Sequence, residues 1–399
     1  MSNIIDRATT VALESFDQQL VPGPTPPNGA KVQPPVMLGI AATGTALTDN
    51  VYEQDEIIDG FHRFWKDEKY NRALFERFFK SVRVETRHLA LPIEEYPSVA
   101  GFTEANRVFK DVGTDLGERA VWHALEGAGL APENVDAFFF TTVTGVCVPS
   151  MDALLMNRMG FRSDVKRFPF FGLGCVAGAA GLARMADYLA AWPDQVAILL
   201  SVELCSLTLQ KKDLTIPAIV SAALFGDGAA AVVGVGRNRL DESDRNNPSG
   251  TGDRTGPKIR ASRSVFYRDT EHVMGWDIGA DGFRVVLSAD VPLIVEQNLR
   301  SDVDAFLDDC GLLRTDIQSW VCHPGGPKVI EALQRCLELD ESDLRCTWDS
   351  LRSIGNLSSA SVLFVLHETI RSRRPANGSF GLMTAMGPGF CSELVLCEW

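Results

Sequence analysis

Short apolar runs alternate with longer amphipathic stretches along most of this chain. Met37-Leu-Gly-Ile-Ala-Ala-Thr-Gly, Phe138-Phe-Phe, Val196-Ala-Ile-Leu-Leu and Ala229-Ala-Ala-Val-Val are apolar without alternation. Such runs predict strands buried on both faces. The stretches Leu116 to Ala128, Val176 to Ala190 and Val303 to Cys310 have the composition of helices. Strand and helix in alternation predict an α/β fold with helices on both faces of its sheets. Residues 1–35 are rich in Pro and small polar residues (Val21-Pro-Gly-Pro-Thr-Pro-Pro) and read as a tail or capping arm. Residues 240–258 are charged and rich in Asn, Ser and Gly, so they predict a surface loop. That loop separates an N-terminal half, 36–239, from a C-terminal half, 259–399, which repeats the alternation and finishes on Gly381-Leu-Met-Thr-Ala-Met-Gly-Pro-Gly-Phe390.

The halves are related by an internal repeat. Gly129-Leu-Ala-Pro-Glu-Asn-Val-Asp-Ala-Phe-Phe-Phe-Thr-Thr142 and Gly311-Leu-Leu-Arg-Thr-Asp-Ile-Gln-Ser-Trp-Val-Cys-His-Pro324 both run from a helical stretch through Gly-Leu and a short loop into an apolar strand. Continued with a slip of one residue, the register sets Gly174-Cys175 against Gly355-Asn356. Cys175 and Asn356 are then expected to open helices related by a pseudo-twofold, with N-termini close together.

That placement carries chemistry. Arg167 to Leu173 reads as a buried strand, Gly174 permits a sharp turn, and a helix follows. A thiol at a helix N-terminus meets unpaired backbone N–H groups and the positive end of the macrodipole. Both favour the thiolate, which is the nucleophile. The ordinary alternative is a buried structural cysteine. His323 ends the strand Ser319-Trp-Val-Cys-His and precedes a Pro-Gly turn; its alternative is a satisfied core histidine. Asn356 follows Gly355 at the head of a helix, where its alternative is an ordinary N-cap. The repeat, which brings Cys, His and Asn to equivalent strand and helix ends, identifies the three as one site.

Composition narrows the function. The chain has 399 residues, 45% of them hydrophobic, enough for a sizeable core. Nine cysteines without paired metal-ligand spacing predict reduced thiols in a cytoplasmic compartment and no metal site. No secretory signal is visible at the N-terminus, and no apolar stretch is long enough to span a bilayer. A formal net charge of −14 excludes a nucleic-acid footprint. An anionic ligand would need a local basic patch, and Arg77, Lys80, Arg83 and Arg87, after an amphipathic helix beginning near Asp67, form the best cluster. A solvated helix face is the alternative for each.

Five segments in order, Gly-Cys175-Val-Ala-Gly, Ala223-Leu-Phe-Gly-Asp-Gly-Ala-Ala-Ala231, His323-Pro-Gly-Gly-Pro, Gly-Asn356-Leu-Ser-Ser-Ala and Gly387-Pro-Gly-Phe390, resemble the signature segments of type III polyketide synthases, the chalcone synthase family. The resemblance implies the thiolase fold, αβαβα, in two pseudo-symmetric halves, and a homodimer with an independent active site in each subunit. It implies acyl-CoA starters and malonyl-CoA as substrates, with no cofactor beyond these thioesters. Cys175 would hold the growing chain, His323 would pair with its thiolate, and His323 and Asn356 would donate to the enolate oxygen. Arg77 and Lys80 would meet CoA.

The resemblance also assigns the pocket. Phe225 matches a gatekeeping phenylalanine. The second gate position falls on Val285, with Phe283 two residues earlier on the same side of a strand; which of them serves stays open. Val143 and Thr144 occupy the starter-pocket loop, and Val143 stands where bacterial tetrahydroxynaphthalene synthases carry an extra cysteine. Val148 matches the residue that reaches into the neighbouring subunit's cavity. Cys205 is a pocket-wall residue, and Ser201-Val-Glu-Leu-Cys-Ser-Leu207 resembles synthases that take long aliphatic starters and make alkylpyrones or alkylresorcinols. The alternatives are another type III product (tetrahydroxynaphthalene or chalcone-like), an initiating ketoacyl-carrier-protein synthase, and a non-catalytic acyl-binding partner of the same fold.

Overall fold

A computed structural model describes residues 34–64, 70–240 and 256–399. Its strands, in chain order, are β1 (Leu38–Ala46), β2 (Asn50–Glu53), β3 (Thr86–Leu89), β4 (Ala137–Thr142), β5 (Lys166–Phe171), β6 (Val196–Leu204) and β7 (Asp227–Gly236). The second half adds β8 (Lys258–Phe266), β9 (Met274–Gly279), β10 (Gly282–Leu287), β11 (Ile317–Cys322), β12 (Phe380–Gly387) and β13 (Cys391–Glu398). Nine of them form one sheet in the order β11-β12-β13-β8-β1-β7-β6-β4-β5. The halves meet where β1 pairs with β8 through Leu38–Ile259 and Gly39–Lys258 alone. The expected tail and most of the expected loop at 240–258 lie outside the described residues. Among those described, no helix is long and apolar enough to cross a membrane.

Residues on each strand alternate between two cores, which is why the sequence shows no alternation of polarity. Phe139 and Leu199 of the first half, with Val321, Met383 and Val395 of the second, pack on two central helices, Ala177–Ala191 and Ser361–Ser372. Their neighbours Phe138, Leu200, Trp320, Leu382 and Leu394 belong to the other core, with residues of the outer helices Phe102–Ala128 and Val291–Asp309. Two sheet halves with helices between and outside them give the layers αβαβα of a thiolase fold.

β5 departs from expectation. It pairs with β4 on one side and is the rim of the sheet, so Lys166, Arg167 and Phe171 are exposed rather than buried. Pro169 is tolerated because a rim strand has an edge that needs no donor. The apolar letters of this run therefore report an uncovered edge.

The repeat holds in detail and then shifts. Gly129 (φ 65°) and Gly311 (φ 76°) follow the outer helices in the left-handed region that glycine tolerates. A 3-10 turn follows in each half, and Asn134 Oδ1 and Asp316 Oδ2 accept from Ala131 N and Leu313 N, each at 2.8 Å. Further on, the central helices begin at Ala177 and Ser361, each three residues after a positive φ, at Gly174 (56°) and Ser358 (49°). The counterpart of Cys175 is thus Ser359. Asn356 does not open a helix but lies in the turn before it.

Candidate active site

The thiol is set by glycines. Gly172 (φ 92°) and Gly174 (φ 56°) turn the chain off β5, and Cys175 sits in the 3-10 turn Gly174–Val176 that leads into Ala177–Ala191. A Cβ on Gly387 would lie 2.7 Å from both Leu173 O and Val176 N, so the Gly387-Pro-Gly segment backs directly onto this turn. Across the pseudo-twofold, a Cβ on Gly178 would lie 2.2 Å from Ser359 O. The first central helix thus lies against the turn that leads into the second, with no room for a side chain between them.

From Cys175 a chain of contacts reaches the other signature segments. Its Sγ donates to Ser358 Oγ at 3.6 Å. Ser358 N donates to Asn356 Oδ1 at 2.8 Å, so the carboxamide oxygen is spent capping the 3-10 turn Ser358–Ala360. Its Nδ2 is nearly free, reaching Gly325 O only at 3.4 Å. Backbone bonds tie Asn356 to the Phe225 segment: Asn356 N donates to Leu224 O (2.9 Å) and Gly226 N to Asn356 O (3.0 Å). His323 follows β11, its N–H held by Thr384 O at 2.9 Å. The ring is buried and neither nitrogen has a partner among the described residues. Two donors, on His323 and Asn356, are therefore unspent where the sequence places the reaction.

The resemblance implies a thiolate–imidazolium pair, and the structure records no hydrogen bond between the two groups. Burial pushes the Cys175 thiol up to about 12; Ser358 opposes this and the nearby Glu203 carboxylate adds to it. Burial alone pulls His323 down to about 3. Taking each charge out of water shifts both groups toward their neutral forms, against the pull of the helix terminus. A neutral imidazole still carries one N–H to donate.

Glu203 was not singled out from the sequence. It sits in β6, in a strand otherwise apolar and buried, and accepts from Ser359 Oγ, Thr144 Oγ1 (2.7 Å), Val143 N (3.1 Å) and Thr142 Oγ1 (3.3 Å). Burial raises it to about 7 against these four donors. A carboxylate in a strand buried on both faces must be satisfied by neighbours, and that rule was the available signal.

A cavity lies beyond Phe225, lined mainly by Ile57, Phe61, Leu89, Ile93, Cys205 and Trp276, with Val285. Phe225 and Cys205 line it as expected. Thr144 does not: its hydroxyl is engaged by Glu203 and Leu204 N, and the residue faces a neighbouring cleft. Phe283 lines that cleft, buried edge-on against Phe102 and Trp276, while Val285 lines the cavity; the two spaces adjoin, sharing Tyr96, Ser206 and Gln210 in their walls. Trp276 stands opposite Val285 in the β9–β10 hairpin and supplies an aromatic wall that no reading of position 285 revealed. Val143 is buried with its N–H on Glu203, and Val148 is fully exposed. Arg77 and Lys80 are exposed on the helix Arg72–Ser81 itself, whereas Arg87 is buried in β3 and does not belong to their patch.

Comparison with known proteins agrees with this arrangement. Residues 33–238 match the family described as chalcone and stilbene synthases, N-terminal domain, and residues 258–398 match the corresponding C-terminal domain. A 1,3,6,8-tetrahydroxynaphthalene synthase of Streptomyces peucetius subsp. caesius is 48% identical over 360 residues, 90% of this chain and 93% of that one. A putative chalcone synthase of Bacillus subtilis is 37% identical over 326 residues, 80% and 87% of the two chains. The crystal structure of 1,3,6,8-tetrahydroxynaphthalene synthase from Streptomyces coelicolor, a bacterial type III polyketide synthase, superposes with a TM-score of 0.83 at 28% identity, covering 90% of this chain and 99% of that one. With both halves matched and a relative 48% identical over 90% of its length, the chain belongs to the chalcone and stilbene synthases, the type III polyketide synthases, which condense acyl groups with malonyl-CoA by decarboxylation.

Proposed function

We propose that the chain loads an aliphatic acyl-CoA starter on Cys175, extends it with malonyl-CoA, and closes the product to an alkylpyrone or alkylresorcinol. The Cys175 sulfur attacks the thioester carbonyl, the C–S bond to CoA breaks, and the leaving thiolate takes up the proton. Malonyl-CoA then loses CO2, the electron pair of the broken C–C bond passing into an enolate. His323 and the Asn356 Nδ2 donate to the enolate oxygen, each donor supplying roughly 3 kcal/mol. The enolate carbon attacks the acyl group, and the Cys175 sulfur leaves, ready to accept the lengthened chain. Arg77 and Lys80, exposed and without an ion pair among the described residues, are the groups we assign to CoA phosphates. We assign the exposed Val148 and rim strand β5 to the contact of a homodimer.

The observation that carries the starter class is the apolar majority of the cavity walls beyond Cys205. Each methylene buried there contributes about 0.8 kcal/mol. A second reading, a tetrahydroxynaphthalene formed from malonyl-CoA alone, is favoured by the 48% identity to the Streptomyces peucetius synthase, against the valine at 143. The test offers purified protein labelled malonyl-CoA, alone and with acyl-CoAs from acetyl to lauroyl and with coumaroyl-CoA, and reads products by mass. Alkylated products that improve with chain length are expected, and Cys205→Phe should shorten the preferred chain. A dominant product from malonyl-CoA alone would select the second reading.

A further inference from the structure

The starter cavity has a polar corner that the proposed reading leaves unused. Most of the polar side chains on its walls are engaged: Tyr96 with Ser206, Thr208 with Cys205 O, Gln210 with Phe283 O, Asp213 with Thr215. Arg87 and Ser221 differ. Arg87 is 2% exposed, and its Nη1 donates to Ala222 O and, at 2.9 Å, to Phe225 O, which fixes the guanidinium plane. Among the described residues its Nε and Nη2 have no hydrogen-bond partner, and neither has Ser221 Oγ, although the guanidinium stands over the Phe79 ring at 5.8 Å. Nε–H and Nη2–H form the parallel edge that a carboxylate accepts in bidentate fashion. Asp227 acts on Arg87 only through space, its oxygens accepting from Ser206 and Ala90 N. Burial lowers Arg87 only to about 10, so it remains a cation.

Buried donors are seldom left unmade in a native protein. Three such donors belong to two residues that line one cavity, and one pair of them has carboxylate geometry. We infer that the cavity takes a starter whose far end carries a carboxylate, an ω-carboxyacyl-CoA, its two oxygens on the free edge of Arg87 and one of them also on Ser221. This rests on the proposal that the cavity receives the starter chain. The carboxylate held here is not the extender's: an ion pair stabilises a carboxylate and opposes loss of CO2, so the site suits a group that survives the reaction.

Length-matched pairs test this with the whole protein and malonyl-CoA: butyryl- against succinyl-CoA, hexanoyl- against adipyl-CoA, octanoyl- against suberyl-CoA. At one length the ω-carboxy starter is expected to exceed its methyl-terminated partner at least tenfold in kcat/KM. Arg87→Met should reverse that order and Ser221→Ala should reduce it several-fold. Because Arg87 also holds two carbonyls, the wild-type comparison and Ser221→Ala keep the test decisive if Arg87→Met fails to fold. Preference for the methyl-terminated starter at every length overturns the inference. So does an Arg87→Met protein that changes the number of extensions but not the starter order, since the donors would then serve the growing chain. If neither kind of starter is extended while malonyl-CoA is consumed, the starter reading fails and this inference with it.

Discussion

Glu203→Gln isolates the electrostatic cost of the buried site. In the folded protein the Glu203 carboxyl is raised from 4.5 to about 7 by burial, its four donors notwithstanding. A carboxyl raised on folding binds its proton more tightly in the native state. Its contribution is therefore fully present below the unfolded value and is lost as pH climbs through the folded one. Between pH 4.5 and 7 the wild type should lose about 3 kcal/mol from this group, at 1.36 kcal/mol per pH unit. Glutamine with its oxygen in the Oε2 place keeps an acceptor for Val143 N and the Thr142 and Thr144 hydroxyls, the Ser359 hydroxyl can turn to accept from its amide, and no charge forms. The variant and the wild type should then have nearly the same Tm at pH 5, and the variant should be higher at pH 8. For a fold of this size the gap is about 4 °C. The same substitution removes the carboxylate that raises Cys175, so the variant should react faster with iodoacetamide above pH 7. Tm curves that stay parallel from pH 5 to 8 would refute the argument.

Other outcomes follow from the same geometry. Cys175→Ala should abolish chain extension while leaving residual malonyl-CoA decarboxylation, measured as released CO2, because His323 and Asn356 remain; full-length product from the variant would remove the covalent role. Asn356→Ala should depress decarboxylation about 10²–10³-fold and starter loading far less, read by labelled CO2 and labelled protein in parallel. Gly178→Ala sets a Cβ 2.2 Å from Ser359 O and should cost at least about 2 kcal/mol of stability in denaturant unfolding, more than the helix propensity of alanine returns.

Much of this was legible because the fold buries its strands on both faces. Phe138-Phe-Phe and Val196-Ala-Ile-Leu-Leu announce β4 and β6 since each residue enters one core or the other. The Gly129 and Gly311 segments announce the pseudo-twofold because a left-handed residue and an Asn or Asp cap leave local traces. Cys175, His323 and Asn356 were visible for the same reason, each lying beside a glycine turn. What could not be read was non-local. Whether Phe168-Pro-Phe-Phe lies inside a sheet or on its rim depends on strand order. Trp276 acquires its place only through pairing with Val285.

The state of the thiol shows how far local reasoning reaches. A helix terminus favours a thiolate by an amount of order 1 kcal/mol. Burial of each group pushes the Cys175 thiol up and the His323 imidazole down, against the direction of the helix terminus. The enclosure therefore favours the neutral form of both. On the proposed reading, an entering thioester would set its carbonyl oxygen against the donors on His323 and Asn356, so that charge developing on oxygen in the attack would be met by N–H groups already in place. In that proposal, negative charge would move from the Cys175 sulfur to the donated oxygen as the attack proceeds, and the donors would favour that transition state over a free thiolate.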